Sequence, residues 1–321
     1  MKFGFVVIIS AILLFSNCKN SEKLTQLKNV QLTFTTTDSV KLPVKVAGKG
    51  YACMFVPGGP GGGYLSFEQL GGRNLEKNLT MIYMDQRGSG SAQNAKVYSL
   101  DRVLKDMDEV RAKLGVDKMY LMSHSFGGII LLNYAKKYPQ HVKGLILVNS
   151  ALYFFSPQML TDQIEYGYKL LGTDTVIRTK NPDSLFAGDM LLRKKLSKKH
   201  LGFKLLTDSI NTIAALEKLD SLHPRTNDFA FKVLGPIIDK SKQMLYPEYF
   251  KDYTAISANI NQPTLIINGI NDHAIGPNHY KLFKFPDSKV AQIKGGHLLY
   301  YEQNPLFVKA VQEFVSGVEN R

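Results

Sequence analysis

Apolar and polar residues alternate through VQLTFTTTDSVKLPVKV (30–46) on either side of the turn-forming TTTDS, a pattern that predicts a β-hairpin. QPTLIINGIND and SKVAQIKGGH repeat a strand–loop pattern far downstream, and before them come short, mostly apolar runs: YACMFV, TMIYM, KMYLM and VKGLILV. Runs of that length without alternation predict strands buried on both faces. Between them, SLDRVLKDMDEVRAKLGV carries Leu100, Val103, Leu104, Met107, Val110 and Leu114 at helical spacing. FGGIILLNYAKKYP reads as a helix stopped by Pro139, and NPLFVKAVQEFVSGV as the closing helix. Strands alternating with helices imply an α/β fold, a mostly parallel central sheet flanked by helices. The stretch 151–258 breaks the rhythm. Helical patterns such as TDSINTIAALEKL occur there without buried strands, which predicts a helical cap inserted between core segments 30–150 and 259–321.

Composition alters this picture little: 44% hydrophobic and 21% charged residues describe an ordinary globular chain. The net charge of +13 raises nucleic acid or an anionic membrane as partners. The cations are spread along the chain and no nucleic-acid-binding motif is present, so no nucleic-acid partner is expected. The densest basic run, RKKLSKKH (Arg193–His200), reads as a solvated helix face ahead of an anion- or headgroup-binding patch.

The N-terminus, MKFGFVVIISAILLFSNCKN, has the basic start and apolar run of a secretory signal. Its end, LFSNC, resembles a bacterial lipoprotein signal, which implies lipid attachment at Cys18, a tether over 19–29 and a place in the bacterial cell envelope. Phe15 and Asn17 depart from the usual residues of such signals. A periplasmic or secreted protein and an uncleaved anchor are the alternatives. Cys53 would then be the sole remaining thiol, and its apolar setting reads as a small buried hydrophobe.

The chemistry centres on YLMSHSFGGII (Tyr120–Ile130). A serine on a sharp strand-to-helix turn needs small neighbours two positions either side, and Ser123 and Gly127 flank Ser125 in that way. A serine hydroxyl also needs a base. Of the 7 histidines, His297 in IKGGHLLYYEQNP follows a predicted strand and a glycine pair near the C-terminus. His124 reads as packing beside the nucleophile; His141, His200, His223 and His279 sit in polar contexts where exposure is expected. Asp272 in PTLIINGINDHAIGP is the acid candidate, with His273 beside it as a rival base.

In SHSFGG the chain resembles the α/β-hydrolase fold, and the order Ser125, Asp272, His297 is the triad order of that fold. The loop PGGPGGG after YACMFV, together with DQRGSG at Asp85–Gly90, resembles the prolyl aminopeptidase (proline iminopeptidase) family. The resemblance implies oxyanion donors at Gly59 and Phe126, with Gly58 adjoining the substrate, and structural roles for Asp85 and Arg87, read as a buried ion pair. Pro57 stands where the family has histidine. Asp101, Asp106 and Asp108 read as the solvent side of their helix. The family binds the substrate's amino group through acidic cap residues, for which Glu165 and Asp162 are the candidates; with Trp 0 in the chain, Tyr166, Tyr168, Phe154 and Phe155 are left to supply an aromatic wall. No metal or cofactor is expected. The implied activity is a serine hydrolase, an aminopeptidase acting on small peptides ahead of an esterase or lactonase, with a non-catalytic binding module as the third reading.

Overall fold

The computed structural model describes residues 29–222, 225–239 and 241–321. The expected signal segment with Cys18, the tether to residue 28 and His223 lie outside them. Eight strands form one sheet: β1 (Val30–Thr35), β2 (Lys41–Gly48), β3 (Tyr51–Val56), β4 (Leu79–Met84), β5 (Met119–Ser125), β6 (Val142–Ser150), β7 (Thr264–Gly269) and β8 (Ser288–Ile293). Their spatial order is β1-β2-β4-β3-β5-β6-β7-β8. The hairpin β1–β2 is antiparallel, as is β2 against β4; every other neighbouring pair is parallel.

The chain passes from β3 to β4 on one side, then crosses to β5 on the other side of β3. The loops leaving the C-terminal ends of β3 and β5 therefore diverge around one crevice, the place where open α/β sheets put their sites. Helices cover both faces: α1 (Leu65–Gln69), α2 (Leu100–Lys113), α3 (Gly127–Lys137), and, near the C-terminus, the pair at Leu299–Glu302 and Asn304–Glu319. Strand pleating sends Met54 and Val56 into the cluster with Val103, Met107, Ile129 and Ile130, and Cys53 and Phe55 into the opposite one with Phe67, Phe307 and Phe314. Burial also pushes the Cys53 thiol upward, so it is an inert core residue.

After β6 come α4 (Pro157–Leu170), α5 (Pro182–Lys198), α6 (Ile210–Leu222) and α7 (Asp228–Ile238); the C-terminal pair is α8 and α9. This interval is not one detached layer. Helices α4 and α5 share a small core of Leu160, Ile164, Leu185, Leu192 and Leu196. Phe229 and Val233 of α7, with Tyr246, Tyr249 and Tyr253, instead join the main core, where Phe229 stacks on Tyr98 and the Tyr249 hydroxyl donates to the Tyr98 carbonyl at 2.8 Å.

Two expectations about charged residues need correction. Asp106 is buried rather than on the solvent side of α2: it accepts from Arg87 Nε at 2.6 Å and from Arg102 Nη2 at 2.7 Å. Arg87 is not paired with Asp85. Its guanidinium, with no side-chain exposure, ties Asp106 to Asp38 in the hairpin turn, 2.8 Å away. Asp85 accepts the backbone N–H groups of Tyr64 and Ser91, each at 2.9 Å, and so anchors the far end of the glycine loop. Asp101 is exposed beside Lys137, and Asp108 accepts from Arg111 at 2.7 Å and from the Tyr134 hydroxyl at 3.0 Å.

Candidate active site

Ser125 ends β5 and Gly127 begins α3, so the chain reverses within one residue. Ser125 is held at φ 55, the left-handed region that costs a side-chain-bearing residue energy and persists only where packing imposes it. The packing is visible. A Cβ on Gly127 would lie 2.4 Å from the Val56 carbonyl, and one on Gly128 2.6 Å from that of Ala151. Ser123 fits because its hydroxyl pairs with that of Ser150 at 2.9 Å.

His297 Nδ1 lies 2.9 Å from Asp272 Oδ2. A carboxylate oxygen accepts, so Nδ1 carries a proton, and in the neutral ring Nε2 is the nitrogen with the free lone pair. Asp272, fully buried, is aimed by the N–H groups of Ala274 and Ile275 on its other oxygen, at 2.9 and 3.3 Å. Ser125 and His297 face the same cavity, with no hydrogen bond between their side chains. The backbone of His297 is clamped from beneath. Asn149 Nδ2 donates to the carbonyls of Gly296 and His297 at 2.9 and 3.0 Å, while its Oδ1 accepts from Gly269 N at 2.7 Å. His124 lies against His297, ring centroids 4.5 Å apart. Burial, with His297 alongside, lowers its pKa to about 3; the neutral ring donates from Nε2 to the His297 carbonyl at 2.9 Å.

The loop after β3 closes over Ser125. A Cβ on Gly58 would fall 2.7 Å from Ser125 Cβ and 2.9 Å from the His124 carbonyl, so only glycine fits. Gly59 stands at φ +120, again a glycine conformation. Among the described residues neither Gly59 nor Phe126 gives its N–H to a carbonyl in a turn or loop. With Pro57 in place of a histidine, the loop is braced by Gln86, whose Nε2 donates to the Pro57 carbonyl at 3.2 Å.

The cavity above Ser125 is about 480 Å³ and walled largely by apolar side chains, Phe154, Phe155 and Phe186 among them. One acid stands in that wall. Asp189 of α5 is 1% exposed; Oδ2 accepts from Arg193 Nε at 2.6 Å, and Oδ1 has no partner among the described residues. Burial raises its pKa and Arg193 opposes the rise. Arg193 Nη2 donates in turn to Gln163 Oε1 at 2.5 Å, and Gln163 Nε2 to the Ala274 carbonyl, which links this acid to the Asp272 loop.

The other candidates lie elsewhere. Glu165, expected at the substrate, accepts the Ile177 N–H at 2.9 Å and lines a second cavity, of about 430 Å³, on the other face of α4. Asp162 is bound to His273 Nδ1 at 2.9 Å, and His273 stacks on Tyr166, which removes it as a rival base. Tyr168 lies under Lys195. Of the aromatic candidates, Phe154 and Phe155 reach the cavity. His279, expected to be exposed, is buried and accepts the Leu152 N–H at 3.2 Å. Asp189 is the candidate residue that sequence reasoning passed over. Its signal was present: it interrupts the apolar stripe Leu185, Leu192, Leu196 at a helical spacing that buries it.

Comparison with known proteins agrees with this architecture. A family model described as "alpha/beta hydrolase fold" matches residues 52–303. A proline iminopeptidase of Saccharolobus solfataricus is 24% identical over 288 residues, 85% of this chain and 87% of the relative. Among solved structures, a proline iminopeptidase-related protein from Thermus thermophilus superposes with a TM-score of 0.71 at 20% identity, over 90% of this chain and 98% of the other. A thermophilic esterase from Thermogutta terrifontis gives 0.62 at 19% identity, over 90% and 99%. At these identities the structural matches speak for the fold alone.

Proposed function

The chain belongs to the alpha/beta hydrolase family and is a hydrolase, and from that premise we propose that it is a serine aminopeptidase releasing an apolar N-terminal residue, proline among them, from small peptides. The observation that carries the reading is Asp189: a buried carboxylate with one unpartnered oxygen, in the wall of the cavity that holds Ser125 and His297. Such an oxygen is costly to leave unpaired in a site meant for apolar groups, and an α-ammonium group satisfies it.

In this reading His297 Nε2 takes the proton of Ser125 as Oγ attacks the peptide carbonyl, and Asp272 holds the ring and stabilises the imidazolium. The N–H groups of Gly59 and Phe126 receive the oxyanion. His297 then protonates the leaving amine, and water releases the acyl-enzyme by the same route. The scissile bond follows the first residue because Asp189 fixes the substrate's end. Lipid attachment at Cys18, in a cell-envelope protein, belongs to the same proposal and rests on the N-terminal sequence.

The esterase alternative rests on the aromatic wall, which suits an acyl chain. Hydrolysis of proline-4-nitroanilide and phenylalanine-4-nitroanilide, with 4-nitrophenyl acetate in parallel, separates the two. Ser125→Ala should abolish all turnover. Asp189→Asn should cost the anilides on the order of 10²-fold in kcat/KM and spare the acetate, since a charge-assisted hydrogen bond is lost. Ester turnover without anilide turnover in the unmodified protein would reject the peptidase.

A further inference from the structure

The rim of the cavity carries apolar side chains that no part of the described fold covers. Ile238, at the end of α7, lines the cavity and is still 66% exposed; Phe231 on the same helix is 74% exposed. Leu234 lies three residues after Phe231 and four before Ile238, so the three form one stripe along the helix. Across the opening, α5 contributes Met190 and Arg193 to the wall, and Leu191 beside them is 53% exposed. Lys194 adjoins Arg193 and Lys198 follows one turn on, both exposed. The acid in that half of the helix, Asp189, is buried and committed to Arg193, and among the described residues neither lysine enters an ion pair. The basic run that reads in the sequence as a solvated face thus borders an uncovered apolar stripe at the mouth of the site.

We propose that this rim is a docking surface for an anionic lipid bilayer, with the α7 stripe entering the interface and the α5 lysines meeting headgroup phosphates. The charge selects the occupant. A second copy of the chain, docked rim to rim, would set uncompensated lysines against each other; a bilayer of anionic headgroups over acyl chains complements both features at once. The net charge of +13 favours approach to the same surface. Docking there would turn the cavity mouth toward the membrane. The inference does not depend on which bond the site cleaves.

The chain has Trp 0, which gives a local probe. Phe231→Trp in the full chain places the sole tryptophan on the stripe; Thr33→Trp, on the edge strand β1, is the reference. With vesicles of phosphatidylcholine and phosphatidylglycerol, emission from position 231 should shift to the blue and gain protection from iodide, while position 33 stays unchanged. Membrane attachment through the N-terminal segment alone would leave both unchanged and overturn the proposal. Adding Lys194→Glu and Lys198→Glu should weaken docking of the rim by roughly fivefold per lysine. The proposal also falls if pure phosphatidylcholine gives the full shift, if position 33 responds equally, or if the shift appears with rising protein concentration and no lipid.

Discussion

Asp272 shows how much one side chain is asked to do. One oxygen is fixed by two backbone N–H groups and the other faces His297 Nδ1, so the acid sets both the orientation and the tautomer of the ring. Asp272→Asn keeps the shape but turns a donor toward Nδ1. The ring then carries its proton on Nε2, where it cannot accept one from Ser125. We expect kcat on the preferred substrate to fall on the order of 10⁴-fold, with the midpoint of thermal unfolding little changed. An Asp272→Asn enzyme of near-normal kcat would remove Asp272 and His297 from the mechanism together. The candidate triad Ser125, Asp272 and His297 could be read from the chain because each ends or follows a strand with its motif around it. Asp189 and Asn149 were harder. Asp189 lines a cavity that exists only once α5 is laid over the sheet, and Asn149 meets carbonyls that come from another strand's loop.

At the scale of elements, periodicity gave the sheet and its helices because burial on two faces leaves an unmistakable apolar run, as in LTMIYM and GLILVN. The cap was less legible, since helical spacing says which face is buried and not against what. Helix α7 reads like a cap helix, yet Phe229 and Val233 pack into the main core. Charged residues misled for the same reason: Asp106 lies on a helix of otherwise ordinary amphipathic pattern, and its partner Arg87 belongs to a distant loop. That pair joins three elements, the hairpin turn, the loop after β4 and α2. Arg87→Met would leave Asp106 buried with only Arg102 and leave Asp38 unpaired on that side. The expected loss is about 3–5 kcal/mol of stability, read by urea unfolding. Asp101→Asn, which breaks an exposed pair with Lys137, should cost under about 1 kcal/mol. Equal losses for the two would refute the assignment of Arg87 as the junction.

For the molecule as a whole, the buried histidines set how it meets acid. Burial lowers His124 to about 3, with His297 adding to the effect, and lowers His279 to about 4. Both titrate near 6.5 in an unfolded chain. Their folded values are depressed, so between these limits the unfolded state binds more protons, and stability falls as pH falls. Their stabilisation is whole above about pH 6.5 and drains away toward pH 4 and below. Asp38, which hydrogen bonds from Arg87 hold below the usual carboxylate range, adds a further loss that begins only as pH falls under about 4. Buried Asp85 and Asp106 are shifted the other way by burial, so they take up protons at higher pH in the folded chain and offset part of the histidine loss. The midpoint of thermal unfolding should therefore decline as pH falls from about 6.5 to about 5, a range in which ordinary exposed carboxylates are still mostly charged. His279→Gln tests the cause, because a glutamine oxygen can accept the Leu152 N–H without titrating. The variant should begin its decline at the same pH, because His124 remains, but with a shallower slope than the native chain. A decline of unchanged slope would assign the acid sensitivity to other groups.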